Sequence, residues 1–296
     1  MPGDSQDLAL GPPARPPRFS LIVATVERVA ALDRLFASLA AQHERDFEVI
    51  VVDQNADERL APLLAHYAGT LDVRHLRAPR GLSRARNAGL AVARGAIVAF
   101  PDDDCRYAPD LLERVARRFA GDQALDGLTG RAVGDDGATD PSWEQNAAVL
   151  EPNNLWNRAI SFTIFLRRAL VEQVGTFDER LGLGAGTLWS SGEEIEYVLR
   201  ALRSGARVAY DPGLTVTHPR KAYSGAELRS VGLRDGASVG WILRRHGYGA
   251  RTTARMLVRP VGGTAAALAR GDVTRASFHV ATLAGRVRGY LGAPSP

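Results

Sequence analysis

Four short apolar segments, separated by helix-like stripes, constrain the fold of this chain more than any other feature of its sequence. The segments are residues 19–24, 47–52, 73–76 and 97–100. Between the first two, apolar residues repeat at the spacing of one helical face, at Leu32, Leu35, Phe36 and Leu39. Strands that alternate with helices in this way predict an α/β fold, in which a mixed, mainly parallel sheet is flanked by helices.

Polar side chains follow three of the predicted strands, at the point where each strand ends. Thr25 follows the first strand, Asp53 the second and residues 102–104 the fourth. Parallel α/β sheets bind ligands outside the carboxyl ends of their strands, so these positions are expected to meet in one crevice. The alternative is that each aspartate only caps the next helix, but three such positions together favour a binding site.

Three consecutive aspartates, Asp102, Asp103 and Asp104, stand directly after the fourth strand. Carboxylates this close repel one another unless a cation lies among them, and oxygen ligands favour Mg²⁺ or Mn²⁺ over zinc. The alternative is a solvated acidic turn, which the position after a buried strand disfavours. The single cysteine, Cys105, excludes both an internal disulfide and a thiolate zinc site.

Composition divides the 296 residues into three predicted parts. Residues 1–17 contain five prolines and no apolar periodicity, which predicts a disordered leader. Residues 18–221 form the α/β domain, with further strands expected at 161–166, 207–210 and 214–217 and helices at 168–174 and 193–203. Residues 222–296 form a basic helical extension, where eleven arginines and three acidic residues give a net charge of +8. Because the whole chain carries +4, residues 1–221 carry −4.

The basic extension carries an apolar helical stripe at Val273, Val280, Leu283, Val287 and Leu291. Three interpretations stay open: the stripe contacts an anionic membrane surface, docks on the α/β domain, or forms a homodimer interface. Basic residues without interleaved aromatic residues disfavour binding to nucleic acid. No apolar run reaches the roughly 18 residues of a membrane span, and no signal peptide is recognisable. We therefore expect a cytoplasmic protein that is peripheral on the inner face of the plasma membrane.

The chain resembles family 2 glycosyltransferases in an ordered set of motifs between residues 19 and 219. They are VATVER (23–28), VIVVD (49–53), GLSRARNAG (81–89), FPDDD (100–104), GTFDE (175–179), GLGAG (182–186), GEEIE (192–196) and THP (217–219). Each motif alone is weak, but the ordered set is specific. The resemblance implies the GT-A fold, which is Rossmann-like, and residues 18–221 as its catalytic domain. It also implies inverting transfer of a sugar from a nucleoside diphosphate sugar to a hydroxyl of a saccharide or lipid-linked acceptor, as in the synthesis of cell-surface polysaccharide or glycolipid.

The resemblance assigns the metal ligands position by position. Asp104 is the firmest ligand of a divalent cation, Mn²⁺ or Mg²⁺. Asp102 and His218 are further ligands, and Asp102 and Asp103 are expected near the ribose and the waters of the metal. For a lone histidine such as His218, the alternative is a structural role.

The resemblance also assigns the nucleotide contacts. Thr25, Glu27 and Asp53 match positions that touch the nucleoside, and Arg80 and Arg86 lie in the segment that faces base or phosphate. A carboxylate at Asp53 accepts the N3–H of uracil or thymine, which cytosine lacks, so UDP- or dTDP-sugars are expected. For each arginine, the alternative is a solvated or structural side chain.

The general base comes from a Glu-Asp pair at the start of a helix in this family, and here the matching pair is Glu193-Glu194. Glu194 is therefore expected to deprotonate the acceptor hydroxyl, with Glu193 as the fallback. The alternative is that both are acids favoured by the helix dipole. Gly186 and Trp189 are expected near the sugar or acceptor, because glycine leaves room and an indole stacks on a sugar face. Core packing is the alternative for the tryptophan.

Two other functions stay open. Sugar-phosphate nucleotidyltransferases have a similar sheet, but they carry a glycine-rich basic loop after the first strand, which residues 24–28 lack. The second is a non-catalytic nucleotide-sugar-binding protein, which the absence of Asp104 or Glu194 would favour. Both residues are present, which favours an enzyme. A dinucleotide-binding oxidoreductase is excluded because no GxGxxG motif follows the first strand.

Overall fold

The first predicted strand lies in the middle of the sheet, which explains why it is apolar on both faces. In the computed structural model, which describes residues 15–293, β1 (Phe19–Thr25) pairs in parallel with β2 (Phe47–Asp53) and with β4 (Ile97–Ala99). β3 (Asp72–Arg77) extends this parallel half beyond β2. The four predicted strands of the first hundred residues are therefore confirmed, each within one residue at either end.

The helices between these strands cover both faces of the sheet. They are α1 (Val29–Ala40), α2 (Ala61–Tyr67), α3 (Leu82–Leu90) and α4 (Leu111–Gly121). Successive residues of β1 point to opposite faces, so Leu21 and Val23 join the core cluster under α1 while Ile22 joins the cluster that includes Ala85 of α3. Two hydrophobic cores, one on each face, thus fix the sheet and its strand ends.

The second half of the sheet is mixed. It contains β5 (Gly127–Val133), β6 (Ala148–Val149), β7 (Phe165–Arg167) and β8 (Val208–Thr217), in the overall order β3-β2-β1-β4-β7-β5-β8-β6. β7 runs antiparallel to both β4 and β5, whereas β5 and β8 are parallel. α5 (Arg168–Val174) and α6 (Glu193–Arg203) match the predicted helices. The predicted class, a mixed and mainly parallel sheet flanked by helices, is confirmed.

Two predicted strand boundaries are wrong. Residues 161–163 form a 3₁₀ turn, because the Thr163 hydroxyl donates to the carbonyl of Ile160 and so competes with strand pairing. Residues 208–210 and 214–217 belong to the single strand β8 and not to two strands, and Arg207 lies just before it. A register shift opposite Thr129 and Arg131 accommodates the intervening residues, and Gly130 allows it, since a Cβ there would lie 1.9 Å from the carbonyl oxygen of Leu214.

The basic extension is helical, as predicted. It forms α7 (Gly225–Arg245), α8 (Ala250–Ala269) and α9 (Val273–Gly292). α7 inserts Trp241 and Ile242 into the core cluster of the α/β domain. α7 and α9 approach so closely that a Cβ at Gly285 would lie 2.1 Å from the carbonyl oxygen of Leu233. The extension is thus packed against the α/β domain through α7, while the boundary at residues 221 and 222 stays a prediction.

The remaining predictions concern the N-terminal leader and the membrane. Residues 1–14, most of the predicted leader, lie outside the described residues. Within the described part, the carbonyl of Pro17 accepts a hydrogen bond from the N–H of Ala96, so the leader meets the sheet at its last residue. Among the helices that the structure describes, none combines the length and the hydropathy that crossing a bilayer demands.

Candidate active site

Two adjoining cavities open at the carboxyl ends of β1 and β4. The aspartate cavity, of about 360 Å³, is lined by charged side chains that include Arg28, Arg80, Asp102, Asp103, Asp104 and Lys221. The glutamate cavity, of about 340 Å³, is lined by residues that include Trp156, Ser161, Glu193, Glu194, Arg234 and Asp235. Leu82, Asp102 and Leu183 line both. A crevice therefore lies at the predicted strand ends, and Asp102 stands where its two halves meet. Of the three predicted positions, residues 102–104 line it, Thr25 contacts it through Asp103, and Asp53 lines neither cavity.

The three aspartates are held by side chains from the neighbouring strand end. Thr25, the last residue of β1, donates its hydroxyl hydrogen bond to Asp103 over 2.8 Å. Arg28 donates to Asp103 over 2.8 Å and to Asp104 over 2.7 Å. Asp103 is buried, and this burial raises its pKa despite the bonds from Arg28 and Thr25. Both carboxylate oxygens of Asp103 thus accept hydrogen bonds from protein side chains, which leaves Asp102 and Asp104 as the candidates for a metal.

Asp102, Asp104 and His218 form a group that fits a divalent cation. One ligand atom of each residue lies within 4.8 Å of the others. The His218 Nε2 lies 2.9 Å from Asp104 Oδ1, and the imidazole stacks on Phe162 with 4.8 Å between ring centroids. Two carboxylates and one imidazole suit Mn²⁺ and also Mg²⁺. The residues that the sequence resemblance named as metal ligands are therefore brought together.

The charges around Asp104 shift its pKa and that of His218 in opposite directions. Burial opposes ionisation of Asp104, but His218, Arg28 and Lys221 together hold the pKa of its carboxyl well below the ordinary value. Burial likewise opposes protonation of His218, but the hydrogen bond and charge of Asp104 raise the pKa of the imidazole. A cation bound at this group would use the neutral imidazole and the ionised carboxylates as its ligands.

The two glutamates stand in the first turn of α6, where the helix dipole favours negative charge. Arg86 of α3 donates to Glu193 over 2.6 Å and to Asp102 over 3.2 Å. Glu194 is half-buried and lines the glutamate cavity. Enclosure in the cleft and the adjacent charge of Glu193 raise the pKa of Glu194 to about 8. A carboxyl with such a pKa is suited to proton transfer near neutral pH.

The predicted nucleoside contacts lie at different depths. Asp53 is fully buried, and its carboxylate accepts hydrogen bonds from Asn55 and pairs with His75 Nε2 at 3.0 Å. Its role toward a base stays a prediction, since it lines neither cavity. Glu27, at a left-handed φ of 61°, is exposed and forms an ion pair with Arg80 at the rim. Arg80 itself lines the aspartate cavity.

Of the two residues expected near the sugar or acceptor, neither lines the two cavities. Gly186 is exposed, and Trp189 stacks with Trp241 of α7 at a centroid distance of 6.3 Å. The indole that does line the glutamate cavity is Trp156. Within the glycine-rich segment, Gly184 lies close to the opposite loop. A Cβ at this position would lie 3.2 Å from the Cα of Gly81, which explains why a glycine is found there.

Several residues of the cleft were not predicted. Arg28 stands within the VATVER motif, yet its contacts with aspartates 75 and 76 positions away have no local signal. Lys221 is the only lysine of the chain, which is the one sequence signal that marks it. Arg234 and Asp235 of α7 line the glutamate cavity, and no motif of the extension indicates them.

The comparisons with known proteins agree with this architecture. Residues 20–180, more than half of the chain, match glycosyl transferase family 2. Succinoglycan biosynthesis protein ExoO of Rhizobium meliloti is 31% identical over 221 residues, which cover 69% of this chain and 61% of that protein. The pre-mycofactocin glycosyltransferase of Mycobacterium tuberculosis is 26% identical over 290 residues, which cover 85% of this chain and 58% of the relative. The chain thus spans between 44% and 61% of the length of such curated relatives.

Solved structures share the fold at low sequence identity. S. aureus TarS 1–349 in complex with UDP-GlcNAc superimposes with a TM-score of 0.61 at 18% identity, over 88% of this chain and 89% of that one. The mannosyltransferase PcManGT from Pyrobaculum calidifontis, in complex with GDP-Man and Mn²⁺, has the same TM-score and identity over 94% and 88%. These likenesses confirm the predicted GT-A fold class. By its match over residues 20–180 and its likeness to these relatives, the chain belongs to glycosyl transferase family 2.

Proposed function

We propose that the protein is an inverting, metal-dependent glycosyltransferase that moves a sugar from a nucleoside diphosphate sugar to an acceptor hydroxyl. The observation that carries this proposal is the meeting of the aspartate and glutamate cavities at Asp102. A donor whose diphosphate lies in the aspartate cavity presents its anomeric carbon toward the glutamate cavity. The acceptor then approaches from the side opposite to the leaving group, as inversion requires.

Glu194 acts as the general base in this proposal. Its carboxylate removes the proton of the acceptor hydroxyl while the acceptor oxygen forms a bond to the anomeric carbon. The bond from that carbon to the phosphate oxygen breaks, and its electron pair leaves on the diphosphate. Arg86 keeps Glu193 in an ion pair, so Glu193 serves as a positioning residue beside the base. A divalent cation held by Asp102, Asp104 and His218 would offset the charge of the leaving diphosphate.

For the donor, we propose a UDP- or dTDP-sugar. The support is the sequence resemblance at Asp53. The proteins with a similar fold bind UDP-GlcNAc in one case and GDP-Man in the other, so the fold alone does not select the base. For the acceptor, we propose a saccharide or lipid-linked hydroxyl. Trp156 and the α7 residues Arg234, Asp235 and Ser238 surround the place where it would bind, with an apolar ring and hydrogen-bonding groups.

We further propose that 18–221 acts as the catalytic domain and that the extension contacts an anionic membrane surface. Val280 and Leu291 of α9 are 55% and 78% exposed, and Val258 and Leu268 of the neighbouring helix α8 are also exposed. Residues 250–293 carry seven arginines and one aspartate, a net charge of +6. A second copy of this surface would meet like charge, whereas anionic lipid offers both opposite charge and an apolar interior.

A thermal-shift screen tests the proposed donor class. The protein is heated with UDP-glucose, UDP-GlcNAc, dTDP-rhamnose, GDP-mannose and CMP-sialic acid, each with Mn²⁺ and with EDTA. A ligand that binds the native state raises the melting temperature with its concentration over Kd. Stabilisation by UDP- or dTDP-sugars supports the proposal. Stabilisation by GDP-mannose alone would overturn the donor assignment, and no stabilisation by any donor would overturn the proposed function.

A further inference from the structure

We propose that Lys221 binds the diphosphate of the donor in the aspartate cavity. This inference rests on the proposed function, because it names a further substrate contact in the same site. Lys221 is the only lysine among 37 basic residues, and it lines the cavity beside the three aspartates. An ammonium is a compact charge that binds phosphate oxygens without the planar geometry of a guanidinium.

The fold anchors both ends of the segment that carries Lys221. At one end, Thr217 closes β8, and its backbone exchanges two hydrogen bonds with Arg106, of 2.8 and 3.1 Å. At the other end, α7 begins with a capping box in which Ser224 and Glu227 bond reciprocally. Six residues separate these two anchors, so the fold itself holds the lysine at the mouth of the aspartate cavity.

Asp104 does not depend on Lys221 for its hydrogen bonds. Its Oδ1 pairs with His218 over 2.9 Å, and its Oδ2 accepts from Arg28 over 2.7 Å. The Nζ of Lys221 lies 3.8 Å from that same Oδ2, which is an ion pair beyond hydrogen-bond distance. The lysine side chain is 43% exposed. Its ammonium is therefore near the carboxylates but available to another anion.

The charge balance of the cavity identifies that anion. Among the described lining residues, Arg28, Arg80 and Lys221 face three aspartates. A divalent cation bound by Asp104 and His218 would add two positive charges next to the ammonium and weaken its attraction to Asp104. A diphosphate, which carries the opposite charge and must lie beside that cation, restores the balance. We therefore assign the ammonium to the diphosphate, where it also meets the charge that develops on bond cleavage.

Arg220 provides a matched control. It is the neighbouring cation in the same segment, but it is not among the residues that line the cavity. Its Nη2 donates to the carbonyl of Ala138 over 2.7 Å, and its Nη1 lies 3.5 Å from Asp136. Removal of the Arg220 charge tests whether any loss of positive charge weakens binding, or only the loss of the contact between Lys221 and the diphosphate.

The first experiment measures nucleotide affinity by calorimetry. UDP, dTDP and GDP are titrated into the wild type with Mg²⁺, and the diphosphate that binds most tightly is compared with its nucleoside. We expect Lys221→Met to weaken diphosphate binding by about 10- to 100-fold, as for loss of a hydrogen bond to a charged group. We expect the nucleoside affinity to be unchanged, Lys221→Arg to bind within a few-fold of the wild type, and Arg220→Met to bind as the wild type does.

The second experiment uses the single lysine as a probe that needs no variant and no activity. Reductive methylation modifies Lys221 and the α-amino group, and peptide mass spectrometry follows both. We expect the diphosphate with Mg²⁺ to slow methylation of Lys221, and the nucleoside with Mg²⁺ to leave it unchanged, with the α-amino group as the internal control. If wild type and Lys221→Met bind the diphosphate with equal affinity, and the diphosphate does not slow methylation of Lys221, the inference about Lys221 is overturned while the proposed function stands. Absence of diphosphate binding to the wild type would overturn the proposed function with it.

Discussion

Buried Arg86 donates a hydrogen bond of 2.6 Å to Glu193, and this ion pair separates the roles of two adjacent glutamates. Arg86 is only 2% exposed, and its second terminal nitrogen donates to Asp102. One guanidinium thus ties the start of α6 to the residue that both cavities share. Both glutamates line the glutamate cavity, but the next residue, Glu194, has no such ion pair with Arg86, and its pKa is raised.

Substitution of Glu194 tests whether this residue, and not Glu193, is the general base. We expect Glu194→Gln to bind the donor normally and to lower kcat by about 10²–10⁴, because the substitution keeps the shape and removes only the proton acceptor. Initial rates of sugar transfer and donor affinity are measured on the same preparation. Near-normal turnover in this variant, with Glu193→Gln inactive, would transfer the role of base to Glu193.

The pH dependence of transfer should report the same carboxyl. Because the pKa of Glu194 is raised to about 8, the required anion is the minor form at pH 7. We therefore expect kcat/KM to rise with unit slope below about pH 8 and to level above it. Glu193→Gln removes the neighbouring charge and frees Arg86, and both changes lower the pKa, so the rising limb should move to lower pH. A profile that is flat from pH 6 to 9 would contradict the assignment.

Removal of a ligand from the candidate metal group should make donor binding independent of the metal. We expect Asp104→Ala to remove the Mn²⁺-dependent part of UDP affinity, because Asp104 is one of the three residues whose ligand atoms converge. Calorimetry with UDP is carried out in Mn²⁺ and in EDTA, for wild type and variant. Asp135→Ala, an exposed aspartate that pairs with Arg106, is the control. The metal role is excluded if wild-type UDP affinity is the same in both buffers.

The close contact between α7 and α9 makes a prediction about stability. Gly285→Ala should destabilise the fold by about 1–3 kcal/mol, since its Cβ would overlap the carbonyl oxygen of Leu233. Gly262→Ala on the open side of α8 meets nothing within 4 Å and should stabilise the fold by up to ~1 kcal/mol, because alanine favours helix. Denaturant unfolding of both variants provides the comparison. Equal effects of the two substitutions would mean that the helices do not approach as described.

The exposed face of α8 and α9 should bind anionic vesicles. We expect the protein to sediment with phosphatidylglycerol vesicles at low salt and to be released by about 0.5 M NaCl, where the Debye length is only a few ångströms. Combined Val280→Ser, Val287→Ser and Leu291→Ser should abolish binding, whereas Val149→Ser, at an exposed residue of β6, should not. If the protein instead sediments as a dimer that the triple variant dissociates, the face is an interface between two copies.

Local patterns were sufficient to predict the first four strands and the converging aspartates. The same patterns could not show which contacts each side chain makes in space. Asp53 illustrates the limit: it ends β2 as predicted, but the register that pairs Val51 with His75 and Asp53 with Arg77 brings β3 side chains onto its carboxylate. Trp189 shows the same limit, because its partner Trp241 belongs to a helix that no motif marks.

Helix α7 contributes residues both to the hydrophobic core and to the glutamate cavity. Trp241 and Ile242 of this helix pack in the hydrophobic core, and Arg234 and Asp235, two turns earlier on the same helical face, line the glutamate cavity. A fragment cut to the matched family segment, residues 20–180, would lack both Glu194 and this wall. For the same reason, exchange of α7 between relatives would transfer acceptor preference only when the residues that seat the helix travel with it. With the proposed acceptor site, divergence of specificity is therefore open at Arg234 and Asp235 and restricted at Trp241 and Ile242, which pack in the core.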